Sequence, residues 1–86
     1  MRLYELKQKE VINICDGKRV GYISDIEFDL CCGVITHIIV PGQCRLLGMF
    51  GYEDEYIIPI KCIKQISDEL ILIEANLDKC VKKCYD

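Results

Sequence analysis

The segment Val20-Gly21-Tyr22-Ile23-Ser24-Asp25-Ile26-Glu27-Phe28-Asp29-Leu30 alternates. Val20, Tyr22, Ile26, Phe28 and Leu30 share one face of an extended chain, Ser24 being the exception, while Asp25, Glu27 and Asp29 share the other. Successive side chains of a strand point to opposite faces, so this period of two predicts one long strand with a buried face and a wet one. Turn signals bound it on both sides. Asp16-Gly17 precedes it and predicts a tight type I′ hairpin with the β-branched run Val11-Ile12-Asn13-Ile14. Cys31-Cys32-Gly33 follows and predicts a turn into Val34-Ile35-Thr36-His37-Ile38-Ile39-Val40, a strand apolar on both faces at its end and stopped by Pro41.

Further along, Gly42 to Asp54 holds three glycines and no alternation, which reads as a long loop. Tyr56-Ile57-Ile58 is a fourth strand ending at Pro59, a residue that cannot donate to a ladder and belongs at a strand end. Ile60 to Ile63 fits one helical turn, and Lys64-Gln65-Ile66 with Leu70-Ile71-Leu72-Ile73 fits a last hairpin across Ser67-Asp68-Glu69. At the start, Leu3, Leu6 and Lys7 have helical spacing. The tail from Ala75 to Asp86 favours helix but is short for a helix standing alone. Six short strands in one flat sheet would leave two open edges. Curling the sheet removes most of that liability. The expected fold class is therefore all-β: a small six-stranded antiparallel β-barrel within residues 1–74, followed by a short, helix-favouring C-terminal tail, 75–86. Val20, Ile26, Phe28, Val34, Ile38, Ile58 and Leu72 are its expected interior.

Composition bounds the function. Eighty-six residues, 51% of them apolar, make one domain and argue against disorder. No apolar run approaches the roughly 18 residues a membrane span needs, and Met1-Arg2-Leu3-Tyr4-Glu5-Leu6 lacks a signal-peptide core, so a cytoplasmic domain is expected. The net charge of −3 weakens direct nucleic-acid binding, which needs a surplus of Lys and Arg. Seven cysteines (15, 31, 32, 44, 62, 80 and 84) form an odd set without an export signal, which reads as reduced thiols, several of them filling the core.

The run Val11 to Leu30, with Asp16-Gly17-Lys18-Arg19-Val20-Gly21 leading into the acidic alternating strand, resembles the opening of PRC-barrel domains. Gly33 to Val40 is similar to that family's next strand, and Glu55-Tyr56-Ile57-Ile58-Pro59-Ile60 with Ile63-Lys64-Gln65-Ile66 to its later segment. Length and the Leu47-Gly48-Met49-Phe50-Gly51 loop resemble the YlmC/YmxH group of sporulation-associated proteins within it. The likeness spans about residues 2 to 74; Ile60 stands where other members have an aromatic, and the Cys-rich tail lies outside the pattern. It implies a six-stranded barrel used as a non-catalytic binding module, with no catalytic residues to carry over and no cofactor. It also implies a runner-up role as an RNA- or ribosome-associated factor, by analogy with the barrel domain of the ribosome-maturation factor RimM.

Candidate site residues are few. Leu46, Leu47, Met49 and Phe50 cluster in the long loop and are the expected contact surface for a protein partner or for a second copy in a homodimer. Asp25, Glu27 and Asp29 are about 7 Å apart along their face, too far for a compact cation site, and read as a solvated edge. His37, the one histidine, reads as a structural residue with a satisfied hydrogen bond. Cys31, Cys32, Cys80 and Cys84 would make a tetrahedral zinc site if the tail folded back, but a C-x-x-C knuckle is missing, so no metal is expected. No phosphate-binding glycine motif is present.

Overall fold

The computed structural model describes residues 1–42 and 55–82. Its elements are α1 (Leu3–Leu6), β1 (Glu10–Asn13), β2 (Lys18–Tyr22), β3 (Asp25–Asp29), β4 (Val34–Pro41), β5 (Glu55–Pro59), a 3₁₀ turn (Ile60–Cys62), β6 (Ile63–Ile66), β7 (Leu70–Ile73), α2 (Leu77–Cys80) and β8 (Val81–Lys82). The strands form two four-stranded sheets, ordered β2-β1-β7-β6 and β3-β4-β5-β8. All pairings are antiparallel except β1 with β7, which is parallel. The expectation of a closed six-stranded antiparallel barrel is corrected in two respects. Among the described residues no ladder joins the two sheets, and the last hairpin returns alongside β1 in the same direction.

The long strand expected over Val20–Leu30 breaks at Ile23–Ser24 and changes sheet there. Val20 is the extra residue of a bulge, because Gly21 pairs with Val11 and Arg19 with Ile12. A bulge adds one residue to one strand and shifts the phase of everything beyond it. Val20 and Ile23 are consequently the buried pair, three apart, while Tyr22 faces solvent. Ser24 sits at the corner, its backbone N–H donating to the Ile39 carbonyl at 2.8 Å. A second irregularity opposite Glu27 and Phe28 lets β3 and β4 run on beyond the body. Phe28 and Val34, expected inside, are exposed, since among the described residues no strand of the other sheet pairs beside the β3–β4 hairpin to cover them.

The core gathers Val11, Ile38, Val40, Ile58, Ile71 and Ile73, all fully buried, with Leu6, Val20, Ile23, Ala75 and Leu77 around them. Leu72 was expected inside, but the parallel register sets Ile71 beside Val11 and Ile73 beside Asn13, so those two fill the core and Leu72 is half-buried. In a strand a one-residue difference in phase exchanges the faces.

Two turns share one construction. In Asn13–Lys18 and Asp29–Val34 the first side chain accepts the backbone N–H two residues on, from Cys15 at 3.3 Å and Cys31 at 2.9 Å. Each closes on a glycine in the left-handed region, Gly17 at φ 68° and Gly33 at φ 70°. Asx side chains and positive-φ glycine are what such loops require. The first is thus a four-residue loop, Ile14–Gly17, and not the two-residue type I′ turn that Asp16-Gly17 predicts; Asn13 and Lys18 are the last pair before it.

Asn13 and Lys9 supply the buried polar chemistry. The Asn13 carboxamide pairs with the Ala75 backbone in the manner of a peptide group: Nδ2 donates to the Ala75 carbonyl at 2.9 Å and Oδ1 accepts its N–H at 3.2 Å. Lys9 donates through Nζ to the Ser67 and Asp68 carbonyls at 2.6 and 2.8 Å, tying the β6–β7 turn to the approach to β1. The tail continues the fold: Ala75 and Leu77 enter the core, α2 is a single turn capped by Asn76, and β8 adds to β5.

Candidate functional site

Beyond the corner at Ser24, β3 pairs among the described residues with β4 on one side only. β1 begins at Glu10 opposite Tyr22, the last residue of β2, so its ladder stops before β3 begins. The β3–β4 hairpin therefore projects, with one face apolar. Ile26 and Ile38 are paired on that face, as are Phe28 and Ile35. Phe28 is 56% exposed and Leu30, at the turn, 84% exposed.

This face runs into a groove of about 230 Å³ between the hairpin and α1, with Met1 and Leu3 on one wall, Ile26 and Ile35 on the other, and Ile60 and Ile66 among the residues lining the rest. Arg2 contributes the charged group to its lining. Opposite to the apolar face, Asp25, Glu27 and Asp29 are exposed, as the alternation predicts. No Lys or Arg occurs between Arg19 and Arg45, so the hairpin is an acidic, apolar-faced ribbon. His37 is half-exposed on β4; its Nδ1 lies 3.0 Å from Thr36 Oγ1 and 3.3 Å from Glu27 Oε1. A second hollow of about 350 Å³ lies between the β1–β2 loop and α2, where Asp16, Lys18 and Asp78 mix both signs of charge.

The cysteines of the zinc alternative separate. Cys31 and Cys32 are exposed in the β3–β4 turn, whereas Cys80 packs against the core with Cys62. Cys80 precedes Val81, the partner of Tyr56, and Tyr56 pairs with Val40, so Cys80 lies level with the far end of β4. From Val34 to that level is roughly 16 Å of strand, too long for a shared metal. Among the described residues no group of three His, Cys, Asp or Glu side chains is placed to hold a metal. Burial pushes the Cys80 thiol above its ordinary value of 9.0, and neighbouring Cys62 adds to the effect. Cys84 and the loop candidates Leu46, Leu47, Met49 and Phe50 lie outside the described residues.

The groove was not legible as a site. Its walls come from α1, the hairpin, the 3₁₀ turn and β6, and each residue alone reads as core. The one available signal was the absence of Lys and Arg around an acidic alternating strand.

Two sheets joined through a strand that bends from one to the other, with a bulged hairpin and a Pro-ended strand leading to a 3₁₀ turn, define a small curved β domain. The chain belongs to the PRC-barrel domain family, which matches residues 1–77. It is 39% identical over 72 residues to the protein named "Probable sporulation protein YlmC" of Bacillus subtilis (strain 168), a span covering 84% of this chain and 89% of that one. Among the described residues no helix is long and apolar enough to cross a membrane.

Proposed function

We propose that this PRC-barrel protein is a non-catalytic, cytoplasmic adaptor that binds a protein partner during sporulation. The observation that supports it is the uncovered apolar face of the β3–β4 hairpin continuing into the groove beside α1. Exposed contiguous apolar surface on a domain with a complete core marks an interaction site. The acidic hairpin disfavours a phosphate backbone, which ranks the RNA-associated alternative below a protein partner. The similarity to a sporulation protein supplies the cellular setting.

The test compares capture from a lysate of sporulating cells by the wild type and by a Phe28→Ser, Ile35→Ser variant whose fold is checked by circular dichroism. A protein partner retained after nuclease treatment and lost with the variant supports the reading. Capture abolished by nuclease shifts the function to RNA, and capture indifferent to the variant places the site elsewhere. Homodimerisation through the apolar loop segment Leu46, Leu47, Met49 and Phe50 belongs to the same proposal, and light scattering decides it: a monomeric wild type removes it.

A further inference from the structure

The occupant of the groove is constrained by what borders it. Among the described residues β3 is an edge strand, and an edge offers unpaired backbone groups to any extended segment that can lie beside it. Such a segment would inherit the two faces of the hairpin. Its side chains on one face would meet Ile26, Phe28 and Ile35 and the groove, and those on the other would meet Asp25, Glu27 and Asp29. A second copy offering its own β3 would set carboxylates opposite carboxylates, and like charges across a strand pair are destabilising. The balance of charge around the edge points the same way. Asp25, Glu27 and Asp29 stand on β3, with His37 Nδ1 of β4 3.3 Å from Glu27 Oε1, while Arg2 lines the groove on the α1 side.

We infer that the β3 edge and the groove together receive an extended segment of a partner protein in which apolar residues alternate with Lys or Arg. Resting on the adaptor reading above, this names the chemistry of the partner at that same surface. The apolar residues of the segment enter the groove between α1 and the hairpin, and its cations stand over the three carboxylates. The backbone ladder supplies attachment, and the alternation supplies selectivity. Among the described residues neither Asp25 nor Asp29 forms an ion pair, and Glu27 meets only His37.

The test uses the full chain and three synthetic ten-residue probes: alternating Lys and Val, alternating Glu and Val, and alternating Lys and Gly. Amide shifts of the isotope-labelled protein report both the affinity and the place of binding. The Lys-Val probe is expected to shift β3 and groove residues, with an affinity that weakens as salt rises through the range where surface charges are screened. Neither of the other probes should match it. An Asp25→Asn, Glu27→Gln, Asp29→Asn variant, which leaves the apolar face intact, should bind Lys-Val about tenfold more weakly, the sum of three exposed charge pairs.

Equal binding of Lys-Val and Glu-Val overturns the basic-partner inference while leaving the groove a docking surface. Shifts that map away from β3 overturn it as well. Concentration-dependent shifts of β3 in the protein alone show a second copy in the groove and overturn it too. If no probe binds and the Phe28→Ser, Ile35→Ser variant still captures its partner normally, the inference and the adaptor site fail together.

Discussion

Replacing Asn13 is the sharpest probe of how the tail is joined to the sheets. The side chain is fully buried and makes both hydrogen bonds to Ala75 that a neighbouring strand would otherwise make. Asn13→Ala removes both partners and leaves a backbone N–H and a carbonyl buried, since Ala75 is itself buried. At about 1–3 kcal/mol for each orphaned group, the loss is about 2–6 kcal/mol, set against about 4–13 kcal/mol of total stability for a domain of this size. Asn13→Asp refines the argument because its shape is unchanged. The acceptor for the Ala75 N–H survives, but an ionised oxygen now faces the Ala75 carbonyl. Burial and that carbonyl favour the protonated acid in the folded state, raising its folded pKa above the unfolded value of about 3.9. A raised folded pKa gives stability that is fully present below the unfolded value and lost as pH rises through the folded one. Urea midpoints at pH 4, 5.5 and 7 should therefore show an Asn13→Ala deficit that is constant with pH and an Asn13→Asp deficit that grows toward pH 7. An Asn13→Ala protein within about 0.5 kcal/mol of wild type would refute the pairing. A flat Asn13→Asp profile would refute the role of the donated hydrogen.

Other outcomes follow from the same geometry. Lys9→Met keeps the buried stem but leaves the Ser67 and Asp68 carbonyls without their donor, and should cost about 1–3 kcal/mol in chemical denaturation, with fast amide exchange confined to the β6–β7 turn. Cys80 should be alkylated by iodoacetamide far more slowly than the exposed Cys15, Cys31 and Cys32, as read by peptide mass spectrometry. Its raised folded pKa makes the neutral thiol the stabilising form, so the melting temperature should fall as pH climbs above about 9, and Cys80→Ala should flatten that fall. Thermal melts under reducing conditions should coincide with and without a strong chelator, because Cys31 and Cys32 stand at the opposite end of β4 from Cys80; a loss of many degrees together with stoichiometric zinc would overturn this.

Local chemistry carried much of this fold into the sequence. Cys31-Cys32-Gly33 announced its turn, Pro59 ended its strand, the β6–β7 hairpin was bounded by Ser67-Asp68-Glu69, and Ile60 began a helical turn, because each depends on residues within four or five positions of one another. The family, too, was legible, since the order and spacing of such local signals survive in the chain. What only the tertiary structure decided is where the alternation stops describing burial. The bulge at Val20 and the corner at Ile23–Ser24 arise because β2 is held by β1 and β3 by β4, two different sheets pulling on one continuous strand. That competition turns Tyr22 outward, brings Ile23 in, and carries Phe28 past the body into solvent. The parallel pairing of β1 with β7 likewise chooses Ile71 and Ile73 over Leu72. The groove follows the same logic: four elements distant in the chain line it, and no window of sequence contains them together.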